Sequence, residues 1–366
     1  MSDLPIRYMR PVMPAPEEWL PYLKDSYAIG YYTNFGPAAR EFERRLKQRY
    51  ARGRAALSSP SATTGLVTAL MGLGIRGKVL TPSHTFPATA QAILMAGCTP
   101  VFGELNADTW ELDPAAAEQA LARHPDVRAI LHVRAYGFGH DLTRLQRLAN
   151  AKRIPLVIDA ASALGCPASV SGHVGQQGAV EVFSLHATKV FGIGEGAVMF
   201  VDPQHDATFR TASNFGMDYP DIVAAGLNNK MSDFQAAVGL AMLERIDGFI
   251  RHRQSVVARY RKTLSRLGGV HQAPPPELAP WQCYPVRLRA GLDVERIIGQ
   301  AAEQGLELRH GYYKPLHRTS YFSRYADAPL PITDAVSESL ICLPVYSDMS
   351  DELADRVLKI FVPLVS

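Results

Sequence analysis

The chain has 366 residues, 47% of them hydrophobic and 20% charged, with a formal net charge of +3. Together with a mean hydropathy of −0.05, this balance excludes a disordered or fibrous chain, and so small a charge speaks against a nucleic-acid partner. The length allows one large α/β domain plus a smaller one, with a core that needs no staples.

Cys98, Cys166, Cys283 and Cys342 lie far apart, so neither a zinc site nor a disulfide framework is indicated, and reduced thiols are expected. Met1 to Tyr8 carries charges and a proline where a signal peptide needs an apolar run, and no apolar stretch is long enough to span a bilayer. A cytoplasmic protein without membrane partners is expected.

Helical periodicity begins at Pro37 and runs to Tyr50, directly after the turn-like Asn34-Phe35-Gly36. Ala55 to Leu57 reads as a short strand, and Ser58 to Thr64, small and mostly hydroxylated, opens an apolar helix from Gly65 to Leu73. The pattern then alternates. Strands are expected at 78–81, 99–103, 127–133 and 156–159, and helices at 85–96, 114–122 and 142–152. That order predicts a mostly parallel, doubly wound sheet.

Val180 to Leu185 and Ala197 to Val201 add two strands separated by a Gly-rich turn. Ser232 to Ile246 is an amphipathic helix continued by Arg251 to Leu267, and the basic residues from Arg251 to Arg266 read as its solvated face. Pro274-Pro275-Pro276 is the clearest break in composition. A large domain over residues 1–245 and a smaller α+β domain over 246–366 are expected.

Three features stand in an order that suits an enzyme holding a phosphorylated, positively charged aromatic cofactor. Ser58-Ser59-Pro60-Ser61-Ala62-Thr63-Thr64 offers hydroxyls and backbone N–H groups at a helix N-terminus, where unpaired donors favour a phosphate. Asp159 ends the apolar run Leu156-Val157-Ile158, at the sheet edge where ligands collect, and could hold a pyridinium nitrogen protonated. Lys189 follows a strand and enters a turn containing Gly192, Gly194 and Gly196; near a cofactor cation its amine would be free for covalent work. Each has a plain alternative: an N-cap, a helix-capping Asp, an exposed turn lysine.

Taken together the chain resembles the DegT/DnrJ/StrS sugar aminotransferases, a branch of the fold-type I pyridoxal-phosphate enzymes, over nearly its whole length. The resemblance rests on Thr33-Asn34-Phe35-Gly36-Pro37, Thr81-Pro82-Ser83-His84-Thr85-Phe86, Asp159-Ala160-Ala161 and Phe183-Ser184-Leu185-His186-Ala187-Thr188-Lys189 with Gly194-Glu195-Gly196. Gly226-Leu227-Asn228-Asn229-Lys230-Met231-Ser232, Tyr312-Tyr313-Lys314-Pro315-Leu316-His317 and Leu343-Pro344 complete it.

The resemblance implies a seven-stranded, mostly parallel sheet in the large domain and pyridoxal 5′-phosphate as cofactor, with pyridoxamine phosphate formed on the way. It makes Lys189 the Schiff-base lysine and proton carrier, and Asp159 the partner of the pyridine nitrogen. Phe86 would stack on the ring, and Ala62, Thr63 and Ser184 would serve the phosphate. Asn228 would reach the phosphate of the partner subunit, which implies a homodimer with shared sites. Three positions depart from the family pattern. The phosphate loop reads Ser61-Ala62-Thr63 instead of Ser-Gly-Thr, Ser162 stands where a Gln or His commonly contacts the phenolic oxygen, and Gly196-Ala197 replaces a glycine pair.

By the same resemblance the amino donor is L-glutamate and the acceptor a nucleotide-linked 4-keto-6-deoxyhexose carried on dTDP. Arg309, His310, Tyr312, Tyr313 and Lys314 offer an aromatic, phosphate-binding strip for that substrate, or simply a polar strand of the small domain. A 3-keto sugar or keto-cyclitol acceptor, or a cofactor-binding regulator without turnover, are the competing readings.

Overall fold

Seven short apolar runs become the strands of one sheet: β1 (Ala55–Ser59), β2 (Lys78–Pro82), β3 (Thr99–Gly103), β4 (Val127–Val133), β5 (Leu156–Asp159), β6 (Val180–Ser184) and β7 (Ala197–Val201). In the computed structural model, which describes residues 5–166, 174–268, 270–272, 279–312 and 314–366, their order is β1-β7-β6-β5-β4-β2-β3. Neighbours from β6 through β3 pair in parallel. Only β7 is reversed, pairing antiparallel with both β6 and β1. The sheet is thus mostly parallel and seven-stranded, as expected.

Both faces of the sheet are covered, so the strands read as near-continuous apolar runs rather than alternating ones. Alternate residues still sort by side. Val79, Leu131, Val157, Val182 and Met199 meet Leu66, Leu70 and Ile93 of the helices Ala62–Gly72 and Pro87–Met95. Leu80, Ile130, Ile158, Phe183 and Phe200 meet the helices Pro37–Leu46 and Asp233–Leu264 on the other side. Close approach is built in: a Cβ on Gly65 would come 3.0 Å from Val182.

The motif at residues 33–37 has a packing reason. Asp233, fully buried, accepts hydrogen bonds from the backbone N–H groups of Ala38 (3.2 Å) and Ala39 (3.1 Å) and from the Ser26 hydroxyl. These are first-turn amides without a carbonyl one turn back, so the carboxylate caps the helix from the side. Its approach leaves no room for a side chain at Gly36, where a Cβ would lie 2.4 Å from Asp233 Oδ2.

A two-stranded hairpin, β8 (Met217–Asp218) and β9 (Asp221–Ile222), stands out from the large domain. Sequence periodicity gave no sign of it. The helix Asp233–Leu264 then runs unbroken for 32 residues, and the division expected at residue 245 falls inside it. Its second half packs against an antiparallel sheet of β10 (Val270–Gln272), β11 (Cys283–Leu288), β12 (Arg309–His310) and β13 (Leu340–Pro344), in the order β10-β11-β13-β12. The start of the chain crosses to this layer as well: Ile6 donates to the Gly305 carbonyl and accepts from Glu307 N–H. Pro274-Pro275-Pro276 lies outside the described residues.

One residue corrects the expectation of a solvated basic face. Arg253 is 4% exposed, and its guanidinium donates to the carbonyls of Val345 (2.7 Å) and Trp281 (2.9 Å) and to the Ser347 hydroxyl (2.8 Å). It sits three residues from Val256 and Ile250, on the buried stripe of the helix. Burial lowers its pKa to about 10. Among the described residues all four thiols are free, and no helix is long and apolar enough to cross a membrane.

Replacing Asp233 with Ala leaves three buried donors without their acceptor. The substitution is expected to lower stability by about 3 kcal/mol, read from the midpoint of denaturant unfolding.

Candidate active site

Because β1, β2, β4, β5 and β6 run the same way, their carboxyl ends share one edge of the sheet, and the segments that leave them converge there. Asp159 is the last residue of β5 and is 6% exposed. Thr89 Oγ1 donates to its Oδ2 at 2.7 Å, and the Ala161 amide donates to its Oδ1 at 3.1 Å. Burial raises the carboxyl pKa, while these two donors and the charge of Lys189 pull it back down.

Lys189 follows β6 in a turn pinned to both adjacent strands. Leu185 N–H donates to Gly196 O (2.8 Å), Ala187 N–H to Gly194 O (2.7 Å), and Lys189 N–H to His186 O (2.8 Å). Gly194 has φ +97°, and a Cβ on Gly192 would lie 2.5 Å from the Ala187 carbonyl; both glycines therefore serve the turn. The ε-amine donates to Gln282 Oε1 (2.9 Å) and to Ser162 Oγ (3.1 Å), both neutral. Burial lowers its pKa, against the opposing pull of Asp159 and Cys283. Asp159 and Lys189 thus act on one another's charge.

The hydroxylated loop ends β1 and caps the next helix, as its composition suggests. Ser61 is the N-cap and accepts from Thr64 N–H at 3.2 Å. Ala62 and Thr63 occupy the first turn, half-buried, where amides have no carbonyl one turn back. Ser59 Oγ donates to Asn229 Oδ1 at 2.6 Å, tying the loop to the segment that follows the hairpin. Asn229 is fully buried, whereas Asn228 is exposed. Ser184, at the end of β6, accepts from His186 N–H at 3.2 Å. Phe86 stands before Pro87 with its side chain 61% exposed.

The strip at 309–314 divides. Tyr312 stacks on Tyr136 with ring centroids 4.9 Å apart, accepts from Tyr136 N–H at 3.2 Å, and meets His84 edge-on at 5.0 Å. Burial raises its pKa, and the charge of Asp159 adds to the rise, which places it at the edge of the site. His84 is fully enclosed between Tyr136 Oη (3.0 Å) and Ser337 Oγ (2.8 Å), and burial lowers its pKa to about 3. His310 instead bonds Glu295 at 3.0 Å, and Lys314 is exposed. Tyr313 lies outside the described residues.

Two residues of the cluster escape sequence reasoning. Thr89 gave no signal of its own; Thr85, just before the helix Pro87–Met95, bonds its hydroxyl at 2.7 Å. Gln282 had none, because it follows the proline break with no periodic pattern around it. Ser162 Oγ also donates to Gln282 Oε1 at 2.8 Å, so the three side chains form one group.

A buried carboxylate, a neutral-bonded amine, first-turn amides and an exposed aromatic ring at one sheet edge fit a phosphorylated pyridine aldehyde, with Asp159, Lys189, the 61–64 loop and Phe86 as the groups that could hold it. The fold and this site define a pyridoxal-phosphate-dependent aminotransferase of fold type I. Residues 15–362 match the DegT/DnrJ/EryC1/StrS aminotransferase family, and the chain belongs to that family. It is 29% identical to a dTDP-4-amino-4,6-dideoxy-D-glucose transaminase of Escherichia coli, over 99% of each chain. The structure of DesI in the presence of its TDP-sugar product is similar at a TM-score of 0.90 and 31% identity, over 98% of this chain and 92% of that one. That of S. venezuelae DesV in complex with a ketimine intermediate is similar at a TM-score of 0.83 and 26% identity, over 94% and 93%.

Thr89→Val removes one of the two hydrogen bonds that hold the Asp159 carboxyl down. Burial then acts with less opposition, and the carboxylate is lost at a higher pH than in the wild type. Cofactor affinity, measured by absorbance titration, is expected to fall away on the acid side at a correspondingly higher pH.

Proposed function

We propose that this sugar aminotransferase moves an amino group from L-glutamate to a nucleotide-linked keto sugar, with a dTDP-linked 4-keto-6-deoxyhexose as the acceptor. The observation that carries the reading is that the Asp159 carboxylate ends β5 while the Lys189 amine, following the adjacent β6, reaches Ser162 of the turn after β5, at one edge of the parallel sheet. The dTDP- and TDP-sugar chemistry in the names of the relatives supports the choice of acceptor.

Bound pyridoxal phosphate supplies the electron sink and carries the amino group from donor to acceptor. Lys189 would hold it through the ε-amine, and that amine, once free, would be the group placed to take and return the donor's α-proton. Burial lets that amine lose its proton readily, and neutral partners keep it so. Asp159 keeps the ring nitrogen protonated, as a carboxylate held ready by Thr89 and Ala161 can. Phe86 would cover the ring, Ala62 and Thr63 would offer their first-turn amides to the phosphate, and Ser184 its hydroxyl. By family resemblance Tyr312, His310, Tyr313 and Lys314 would serve the acceptor.

The reading includes a homodimer with shared sites. Asn228 is exposed beside a hairpin whose Tyr219, Ile222 and Val223 are 94%, 66% and 58% exposed, and Tyr27 and Ile29 are 60% and 64% exposed. Apolar groups this open favour burial against a second copy, and Asn228 would then serve the partner's phosphate.

A coupled glutamate assay against dTDP-, UDP- and GDP-linked 3-keto and 4-keto sugars tests the substrate; silence with every acceptor refutes the reading. Lys189→Ala is expected to abolish both turnover and covalent attachment of the cofactor. Mixing Lys189→Ala with Asn228→Asp chains, each inactive alone, should restore about a quarter of wild-type activity, because half the dimers would carry one intact site of two. No recovery would mean that each site is built from one chain.

A further inference from the structure

The Lys189 group contains a side chain that arrives from the small domain, and its surroundings show that it is held there at some cost. Gln282 immediately precedes β11. Its Oε1 accepts from Lys189 Nζ (2.9 Å) and Ser162 Oγ (2.8 Å), and its Nε2 faces Thr188 Oγ1 at 3.4 Å. Trp281, just before it, is wholly buried with φ +63°. A bulky residue in that left-handed conformation is strained and persists only where its surroundings fix it.

Arg253 does the fixing. Its buried guanidinium donates to the carbonyls of Trp281 (2.9 Å) and Gln282 (3.4 Å) as well as to Val345. A strained tryptophan and a buried arginine thus turn one carboxamide toward the lysine.

We propose that Gln282 is a positioning residue for Lys189: as a neutral acceptor it orients the ε-amine beside Ser162 without supplying a charge that would hold the amine protonated. The inference rests on the assignment of Lys189 above. Ser162 is the second, longer acceptor, and it is itself held by the hydrogen it gives to Gln282. A carboxylate in the same place would favour the ammonium, and an apolar side chain would leave the amine without its nearer partner. The charged or titratable groups that act on Lys189 are Asp159 from β5 and Cys283 from β11. Neither is the acceptor that sets its direction.

The test compares wild type, Gln282→Glu and Gln282→Met as full-length holoenzymes, following with pH the visible absorption of the Lys189-linked cofactor. The expected midpoint rises by about one pH unit or more in Gln282→Glu, a tenfold change in proton affinity, and falls in Gln282→Met. Opposite shifts from one position are not what a general loss of packing produces. Acylation of Lys189 in the cofactor-free protein, followed by peptide mass spectrometry, should show the same two directions. Midpoints that coincide with wild type in proteins that still transaminate overturn the role of Gln282 and leave the reaction standing. A wild-type protein with no cofactor on Lys189 overturns both.

Discussion

Burial alone would strip the charge from a carboxyl and from an amine alike, and in this chain it acts on both Asp159 and Lys189 at the edge of one sheet. Each partly restores the other's charge, and the side chains hydrogen-bonded to them, Thr89, Ser162 and Gln282, are neutral. The arrangement sets opposing pulls on both groups: burial raises the Asp159 carboxyl while Thr89 and Ala161 hold it down, and burial lowers the Lys189 amine while Gln282 and Ser162 orient it. A stronger ion at either side would fix one protonation state and remove the capacity to change it.

That balance depends on elements far apart in the sequence. Thr89 comes from the helix after β2, Ser162 from the turn after β5, and Gln282 from the small domain. The parallel sheet brings the first two to one edge without special provision. Gln282 needs Arg253, whose burial in the long helix gives a single side chain three carbonyls to hold. The helix Asp233–Leu264 therefore links the two domains through packing and also through the hydrogen bonds that place one site residue.

Much of this was legible in the residues. The apolar runs placed all seven strands of the large sheet, since buried parallel strands carry an uninterrupted apolar signal. The hydroxylated loop, Asp159 and the lysine turn stood out because their side chains are unusual at strand ends. Other features were hidden for stated physical reasons. The hairpin at 217–222 is too short to show a period. Arg253 looks in sequence like any other arginine of its helix, and only the three-dimensional stripe shows it turned inward. Gln282 is set by a backbone conformation at Trp281 that no residue type announces, glycine being the usual occupant of such a position. His310 and Tyr312 are two apart in sequence, where strand alternation would set them on one face, yet β12 ends at His310, which bonds Glu295, while Tyr312 joins the aromatic wall.

The reversal of β7 has an effect on how freely the protein can diversify. The loops that leave β1, β2, β3 and β4 at the active edge belong to crossovers with a helix in them, and such crossovers tolerate changes of length and composition. The lysine alone sits in a hairpin between two neighbouring strands of the same sheet, braced at 185–196 and at 187–194. Acceptor preference can drift through the crossovers and the small domain while the reactive nitrogen stays where the sheet anchors it.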